Sequence, residues 1–263
     1  MELRDFGKRF QVPVYGQGTW NLFGKGVVEA LRKGIDLGLT HIDTAEMYGT
    51  EESVGEAIAG RRDEVFLVSK VLPSNASRTA TIRACDQSLI RLRTDRLDCY
   101  LLHWPGRHPL EETIAAFEEL VAKGKIRSYG VSNFDEDLLA QALKIAGPGK
   151  IACNQCLYNL EARHLEARVL PFCRKNGIAL VGYSPIKGIH GPEIEKVAKE
   201  IGATAAQVAL AFLTRLEGTF AIPKASTLAH VRENARRLAL SAEQIARLDK
   251  AYPLRVRAEL PTA

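Results

Sequence analysis

Short apolar runs alternate with amphipathic segments along most of the chain, a pattern typical of repeated β/α units. The first run spans Val14 to Trp20, and Val27, Leu31 and Ile35 then share one helical face. Further strand signals lie at residues 39–43, 65–69, 97–102, 126–132, 151–155, 178–183 and 220–222. Eight strands over about 210 residues predict an α/β fold, a (β/α)8 TIM barrel.

Helix signals follow most of these strands. They cover the face of Val54, Ala57 and Ile58 and the ranges 77–92, 110–122, 193–201 and 205–214, with one more helix beginning near His230. Asn133 or Asp135 is expected to cap a helix after the fifth strand. Residues 1–12 are expected to form an N-terminal β-hairpin around Phe6-Gly7-Lys8. Because no linker or composition break divides the chain, residues 1–263 are interpreted as a single domain.

Composition narrows the class of partner. The 36 basic and 31 acidic residues are spread along the chain, which argues against nucleic acid as a partner. Neither a signal core nor a membrane-length apolar run is visible, so no membrane association and a cytoplasmic location are expected. The five cysteines fit a reducing compartment. Cys153 and Cys156 have C-x-x-C spacing but no second pair, and we interpret them as barrel cysteines rather than metal ligands.

Ionisable residues stand where three of the predicted strands end. Asp43 closes the second strand and is followed five residues later by Tyr48, while Lys70 and His103 close the third and fourth. The carboxyl ends of parallel strands lie on one side of a barrel, so these side chains should converge. The lysine ammonium should lower the tyrosine pKa from its usual ~10. Such a group suits proton transfer to an oxygen that becomes an alkoxide.

Proton transfer alone does not define a reaction, so the sequence was searched for a site that binds a metal or a nucleotide. Metal-binding motifs and a P-loop are missing, and the segment from Gly16 to Asn21 lacks the third glycine of a dinucleotide fingerprint. Lys224 follows the eighth strand and precedes a helix start. That combination is a common phosphate site in barrels.

Ordered motifs along nearly the whole chain resemble those of the aldo-keto reductase family. They are Gly18-Thr19-Trp20, His41-Ile42-Asp43-Thr44-Ala45, Tyr48-Gly49, Ser69-Lys70, Leu101-Leu102-His103-Trp104-Pro105, Gly130-Val131-Ser132-Asn133-Phe134, Asn154-Gln155, Tyr183-Ser184-Pro185 and Ile222-Pro223-Lys224. Short prokaryotic members are the most similar. The resemblance implies an enzyme that uses NADPH, bound in extended form without a Rossmann unit, to reduce aldehydes or ketones to alcohols.

The resemblance also implies roles for individual residues. Tyr48 would be the general acid, Lys70 and Asp43 would tune it, and His103 would orient the carbonyl. Cofactor contacts would come from Thr19, Trp20, Asp43, Ser132, Asn133, Gln155, Tyr183, Ser184, Lys224, Ser226, Thr227, His230, Glu233 and Asn234. Among them, Tyr183 would stack on the nicotinamide, whereas Ser132, Asn133 and Gln155 would hold its carboxamide. Substrate contacts would come from Trp20, Phe23, Tyr48, His103 and Trp104.

Two departures from the family pattern bear on specificity. Ala225 and His230 stand where serine and arginine are frequent near the cofactor phosphate. Lys224 should still favour NADPH, with help from His230 when it is protonated, and NADH remains possible. The segment from Ile186 to Pro192 and the tail after Tyr252 are short, which predicts an open substrate pocket.

Several functional alternatives remain at this point. Some relatives bind the cofactor but act as regulatory subunits, so a cofactor-binding sensor is one alternative. A lyase or aldolase with Lys70 as Schiff base is another. Short aldehydes, dicarbonyls such as methylglyoxal, keto-sugars and larger ketones all suit an open apolar pocket. A monomer is the first expectation for the assembly.

Overall fold

The computed structural model describes residues 1–255. Its strands are β1 Leu3–Phe6, β2 Phe10–Pro13, β3 Gln17–Gly18, β4 His41–Asp43, β5 Phe66–Val71, β6 Cys99–Leu102, β7 Tyr129–Ser132, β8 Ile151–Leu157, β9 Ala179–Tyr183 and β10 Thr219–Ala221. Its helices are α1 Val27–Asp36, α2 Glu51–Ile58, α3 Arg78–Leu92, α4 Leu110–Ala122, α5 Glu136–Ala146, α6 Val169–Asn176, α7 Pro192–Glu200, α8 Ala205–Leu213, α9 Leu228–Ala235 and α10 Ala242–Ala251.

Strands β3 to β10 pair in chain order and every pairing is parallel. Backbone hydrogen bonds connect the first and last of them, since Gly16 N donates to Ala221 O at 2.9 Å and Ala221 N donates to Val14 O at 3.0 Å. The sheet is therefore closed on itself. The predicted (β/α)8 barrel is confirmed, and its strand ends on the carboxyl side form one rim.

The N-terminal hairpin covers the opposite end of the barrel. β1 and β2 pair antiparallel, with Phe6 opposite Phe10. The buried ring of Phe6 lies edge-on to Phe66 and Phe220, with centroids 5.0 and 5.3 Å apart, and 5.8 Å from the ring of His41. The predicted hairpin is confirmed, and its aromatic contacts fill the amino end of the barrel.

Local side-chain caps define several helix starts. Ser77 accepts a hydrogen bond from Ala80 N at the start of α3, and Thr204 forms a reciprocal capping box with Gln207 at α8. Of the two candidates for α5, Asp135 is the cap, because its side chain accepts from Leu138 N. Such caps satisfy backbone donors that the helix itself leaves unpaired.

The cysteines are packing residues, as expected. All five are buried free thiols. Cys153 belongs to the apolar cluster inside the barrel, whereas Cys156 belongs to the layer between sheet and helices. The two residues of the C-x-x-C spacing thus lie on opposite faces of β8. Across residues 1–255, every helix is too short or too polar to cross a lipid bilayer.

Candidate active site

The four ionisable residues expected at the strand ends meet at the carboxyl rim. Asp43 ends β4, Lys70 lies near the end of β5, and His103 follows β6. Tyr48 lies in a short 3₁₀ turn, Glu46–Tyr48, just beyond β4. The Lys70 Nζ atom is 2.6 Å from Asp43 Oδ1 and 3.3 Å from the Tyr48 hydroxyl, which is itself 3.3 Å from His103 Nε2. The expected convergence is confirmed.

Lys70 is a fixed cation rather than a free amine. Its side chain is fully buried, and its ammonium donates to Asp43, to Thr44 O at 2.9 Å and to Tyr48. Burial alone lowers the pKa of Lys70, but the charge of Asp43 and the phenol of Tyr48 outweigh it and raise the pKa. Because a Schiff base forms from a neutral amine, these contacts weigh against the aldolase alternative.

The expected direction of the Tyr48 pKa was wrong. Lys70 does lower the pKa of the phenol, but burial disfavours the phenolate more strongly and Asp43 adds to that effect, so the net pKa is raised. The spacing of residues at the strand ends did not predict how far Tyr48 is buried. Tyr48 therefore keeps its proton throughout the neutral range.

His103 is a neutral imidazole in this setting. Burial, reinforced by the nearby charge of Lys70, lowers its pKa to about 3. A neutral ring carries one N–H donor and one acceptor nitrogen. Within residues 1–255 the Nδ1 atom has no hydrogen-bond partner, while Nε2 lies beside the Tyr48 hydroxyl. The ring can therefore present one hydrogen bond next to the proton of Tyr48.

Apolar side chains border this group on its solvent side. The ring of Trp20 is 5.0 Å from that of Tyr48, and the ring of Trp104 is 4.8 Å from that of His103. Trp20 and Phe23 are 48% and 62% exposed, which is high for large apolar side chains. Met47 directly precedes Tyr48, is exposed as well, and was not among the residues predicted for the site.

The residues predicted to hold a nicotinamide lie on the neighbouring strand ends. Ser132 Oγ donates to Gln155 O at 2.7 Å. Asn133 Nδ2 donates to His103 O at 3.2 Å, and its Oδ1 atom accepts from the Tyr183 hydroxyl at 3.1 Å. The side-chain amide of Asn133 thus ties the backbone of His103 to Tyr183. Its predicted contact with a carboxamide has to be made in addition to these bonds.

Thr19 and Ser184 flank the same area from β3 and β9. Thr19 Oγ1 donates to Asp43 O at 2.9 Å, which fixes the end of β4. Ser184 follows β9 with a left-handed backbone, φ 51°, and its carbonyl accepts from Asn159 Nδ2 at 3.4 Å. A positive φ is uncommon for serine, so the conformation is held by its surroundings.

The remaining predicted cofactor contacts lie just before α9 and along it, where the family resemblance implies the adenosine end of the cofactor. Thr227 caps this helix by accepting from His230 N at 3.2 Å. Lys224 is exposed, and its Nζ atom is 3.4 Å from Asn21 O. Ser226 and His230 are exposed as well, Glu233 is half-buried, and Asn234 is buried. An exposed lysine beside unpaired helix N–H groups favours an anion.

A separate cleft of about 760 Å³ lies between α1, α2 and Leu228 of α9. Lys25, Arg32 and Lys33 line it together with Glu29, Asp36 and Glu56. The charged side chains around it are of both signs, and its lining does not include Asp43, Tyr48, Lys70 or His103. It borders the adenosine end but does not replace the rim as the candidate site.

Comparison with known proteins decides the family. The model of the "Aldo/keto reductase family" matches residues 15–192 and 190–253. The chain belongs to this family. It is 46% identical over 266 residues to methylglyoxal reductase YeaE of Escherichia coli K12, which covers 94% of each chain. It is also 34% identical to the glyoxal reductase of Bacillus subtilis, over 86% of this chain and 83% of that one.

Solved structures of aldo/keto reductases superpose closely on the whole chain. One from Klebsiella pneumoniae, in complex with NADP and acetate, has a TM-score of 0.94 and 45% identity, covering 100% of this chain and 99% of that one. A second Klebsiella structure with the same scores and coverage is in complex with NADPH. The expected fold and family are confirmed. So is the enzyme class, an oxidoreductase that reduces the carbonyl group of aldehydes or ketones.

Proposed function

We propose that this aldo/keto reductase uses NADPH to reduce short α-dicarbonyl compounds such as methylglyoxal and glyoxal. The observation that carries the chemistry is the buried group of Tyr48, Lys70 and Asp43 with neutral His103 beside it. The substrate class is supported by relatives named methylglyoxal reductase and glyoxal reductase. NADPH is supported by the ligands of the two Klebsiella structures.

The side chains around the rim fit such a cofactor. Gln155 and Ser132 would hold the carboxamide, Tyr183 would lie against the nicotinamide ring, and Lys224 with the N–H groups at the start of α9 would hold phosphate. The Gln155 amide donates to Asp43 through Nε2, and its Oε1 atom would accept from a carboxamide N–H. NADPH, when bound, supplies the hydride for the carbonyl carbon.

The chain itself supplies the proton. The neutral imidazole of His103 donates a hydrogen bond to the carbonyl oxygen and holds it beside the Tyr48 hydroxyl. As negative charge develops on that oxygen, the phenol transfers its proton and the carbonyl becomes an alcohol. Lys70 stabilises the phenolate that remains, and Asp43 keeps the ammonium in place. A positioned acid of this kind contributes ~10²–10⁴-fold to a rate.

The exposed rim favours a small, reactive substrate. Trp20 lies against Tyr48, and both Trp20 and Phe23 leave much of their surface open to solvent. Such walls offer limited contact area to a large ketone, and binding energy from remote contacts is small. An α-dicarbonyl needs less binding energy, because each of its carbonyl groups withdraws electrons from the other. Each carbonyl carbon is therefore a better hydride acceptor.

Cofactor oxidation tests this proposal directly. NADPH and NADH absorbance are followed with methylglyoxal, glyoxal, a keto-sugar and a bulky ketone, and Tyr48→Phe is the matched control. We expect the highest kcat/KM for the dicarbonyls with NADPH and a loss of at least about a hundredfold in Tyr48→Phe. Cofactor binding without turnover of any carbonyl would favour the sensor alternative. Turnover led by the bulky ketone would contradict the substrate class.

We also propose that the enzyme acts as a monomer in the cytoplasm. The five buried free thiols suit a reducing compartment. Light scattering on the purified chain, repeated over a hundredfold range of concentration, should give a constant mass near 28.9 kDa. A mass of twice that value at micromolar concentration would exclude the monomer.

A further inference from the structure

The carboxylate of Asp43 is held from two sides of the barrel. Lys70 on the adjacent strand β5 donates to Oδ1 at 2.6 Å, and Gln155 on the distant strand β8 donates to Oδ2 through Nε2 at 2.7 Å. Asp43 and Gln155 are both 1% exposed. Each oxygen of the carboxylate therefore has its own donor, and the contact from Gln155 crosses the interior of the barrel.

The backbone at Gln155 is itself fixed by neighbouring strands. Its carbonyl accepts from Asn133 N at 2.9 Å and from Ser132 Oγ at 2.7 Å. In the sheet it pairs with Ser132 of β7 and Val181 of β9. The backbone position of Gln155 is therefore fixed, and its side-chain amide is oriented by the hydrogen bond to Asp43.

The two ends of the Gln155 amide face different tasks. Nε2 donates to Asp43, whereas the Oε1 atom at the other end of the amide can only accept a hydrogen bond. An amide oxygen can accept from N–H donors, and the carboxamide of a nicotinamide offers two of them. The donor end of the amide thus belongs to the proton relay and the acceptor end to the place where the cofactor is expected.

We propose that Gln155 is a positioning residue that couples the nicotinamide seat to the proton relay by orienting the Asp43 carboxylate. The inference rests on the proposed function, which supplies the nicotinamide. It assigns Gln155 a task beyond holding the carboxamide: correct seating of the cofactor and correct orientation of Asp43 become one event. Lys70 then stands in the orientation that stabilises the Tyr48 phenolate.

Loss of the amide should therefore change the titration of Tyr48. The groups that face the phenol are Lys70 from β5, Asp43 from β4, His103 after β6 and Tyr183 from β9. In Gln155→Met the carboxylate keeps a single anchor and rotates, so Lys70 is less well aimed at the phenol. The phenolate is then less stabilised, and the basic limb of the kcat profile should move to higher pH. The plateau of kcat should fall about tenfold, a part of the ~10²–10⁴-fold effect of a positioned acid.

Ser132→Ala is the matched control. Ser132 contacts the backbone of Gln155 and is predicted to hold the same carboxamide, but it bonds to neither Asp43 nor Lys70. Three quantities are measured for each variant: the NADPH dissociation constant, the pH profile of kcat, and the phenol titration of Tyr48 by ultraviolet difference absorbance without cofactor. For the titration, each protein is compared with its own Tyr48→Phe derivative, so that other tyrosines cancel.

The expected result is weaker NADPH binding in both variants, with a shifted titration in Gln155→Met alone. Equal NADPH weakening with unchanged titrations in both would overturn the inference and leave Gln155 as a carboxamide contact. Gln155→Glu, which keeps the volume, covers the case in which Gln155→Met does not fold. Its added carboxyl beside Asp43 should raise the phenol titration further, and an unshifted titration there also refutes the coupling.

The test of Gln155 is independent of the test of the proposed function. Turnover by the wild-type enzyme decides whether the protein is a dicarbonyl reductase. The phenol titration needs neither cofactor nor substrate, so it decides the role of Gln155 whatever the wild-type turnover is.

Discussion

Replacement of Lys70 by methionine removes the cation on which the proposed proton transfer depends. Methionine approximates the length of the lysine stem, so packing changes little while the charge and the three hydrogen bonds of the ammonium are lost. Two distinct effects follow. The Tyr48 phenolate loses its stabilising charge, and the Asp43 carboxylate is left buried without its cation.

The distance between Lys70 and Tyr48 sets the size of the catalytic effect. At 3.3 Å between nitrogen and oxygen, and with an effective dielectric constant of about 20, the attraction between full charges is about 5 kcal/mol. If about half of the phenolate charge has developed in the transition state, the barrier rises by about 2.5 kcal/mol, which is a roughly hundredfold loss in kcat.

The structural effect is separable from the catalytic one. In Lys70→Met, Asp43 keeps its hydrogen bond from Gln155 but loses the buried cation that balances its charge. A buried carboxylate without a cation should cost about 3–5 kcal/mol of folding free energy. In the double variant Lys70→Met/Asp43→Asn, the unpaired charge is gone while the cation is still missing. The double variant should regain most of the unfolding free energy, measured in urea, and should still turn over methylglyoxal at the low rate of the single variant.

Either of two results would refute this reasoning. A Lys70→Met variant that keeps kcat within threefold of the wild type would show that Lys70 does not stabilise the phenolate. Equal destabilisation in the single and double variants would show that the loss of folding free energy comes from packing rather than from the orphaned charge.

Three further variants test packing, pH dependence and cofactor choice. Gly34→Ala should destabilise the protein although alanine favours helices by about 1 kcal/mol. Its Cβ would lie 2.0 Å from Gln17 Oε1, and that buried amide cannot move without losing its bonds to Leu31 O and Leu39 O; a raised Tm would contradict this. His41 has a pKa lowered by burial to about 4, so its contribution to stability is present above pH 6.5 and lost as pH falls through 4. His41→Leu should remove about 3 kcal/mol of that acid sensitivity, and unchanged curves of unfolding free energy against pH would refute it. His230→Ala should reduce the preference for NADPH over NADH if His230 contacts the cofactor phosphate, and an unchanged ratio of kcat/KM for the two cofactors would exclude that role.

The barrel and its reactive rim were predictable because both follow from local patterns. Apolar runs of strand length recur along the chain, and the parallel arrangement brings Asp43, Lys70 and His103 to one end of the sheet without any knowledge of long-range contacts. The length of each strand was less predictable. β5 continues through Lys70 to Val71, because its last residues pair with β6.

The periodic pattern did not predict helices α6 and α10, for different reasons. α6 is short, carries no side-chain cap and includes Pro171. α10 does have a recognisable signal, since Ser241 and Gln244 form a capping box at its start. The inward face of α10 has few large apolar residues, and Leu248 is the one that is fully buried. The capping box was therefore a stronger signal for this helix than its apolar periodicity. The part of the predicted pocket wall formed by residues 256–263 lies outside the described residues.

Contacts that depend on three-dimensional packing were out of reach of the sequence. Gln155 meets Asp43 across the barrel, 112 residues away, and only the side of β8 on which it lies brings it there. The degree of burial around Tyr48 is likewise a property of the assembled rim, and it reversed the expected direction of the pKa. Spacing identified which groups meet, but not how strongly each is removed from water.

The raised pKa of Tyr48 bears on the pH range in which the proposed site could run each direction of the reaction. Reduction of a carbonyl requires a phenol that still holds its proton, and burial ensures this across the neutral range. Oxidation of an alcohol requires the phenolate at the same position, and that form is scarce until the pH approaches the raised pKa. In the proposed reaction, Lys70 would stabilise the phenolate as alkoxide charge appears on the substrate, without ionising the phenol beforehand. A buried tyrosine with an adjacent fixed cation is therefore an acid that releases its proton mainly when the substrate oxygen can take it.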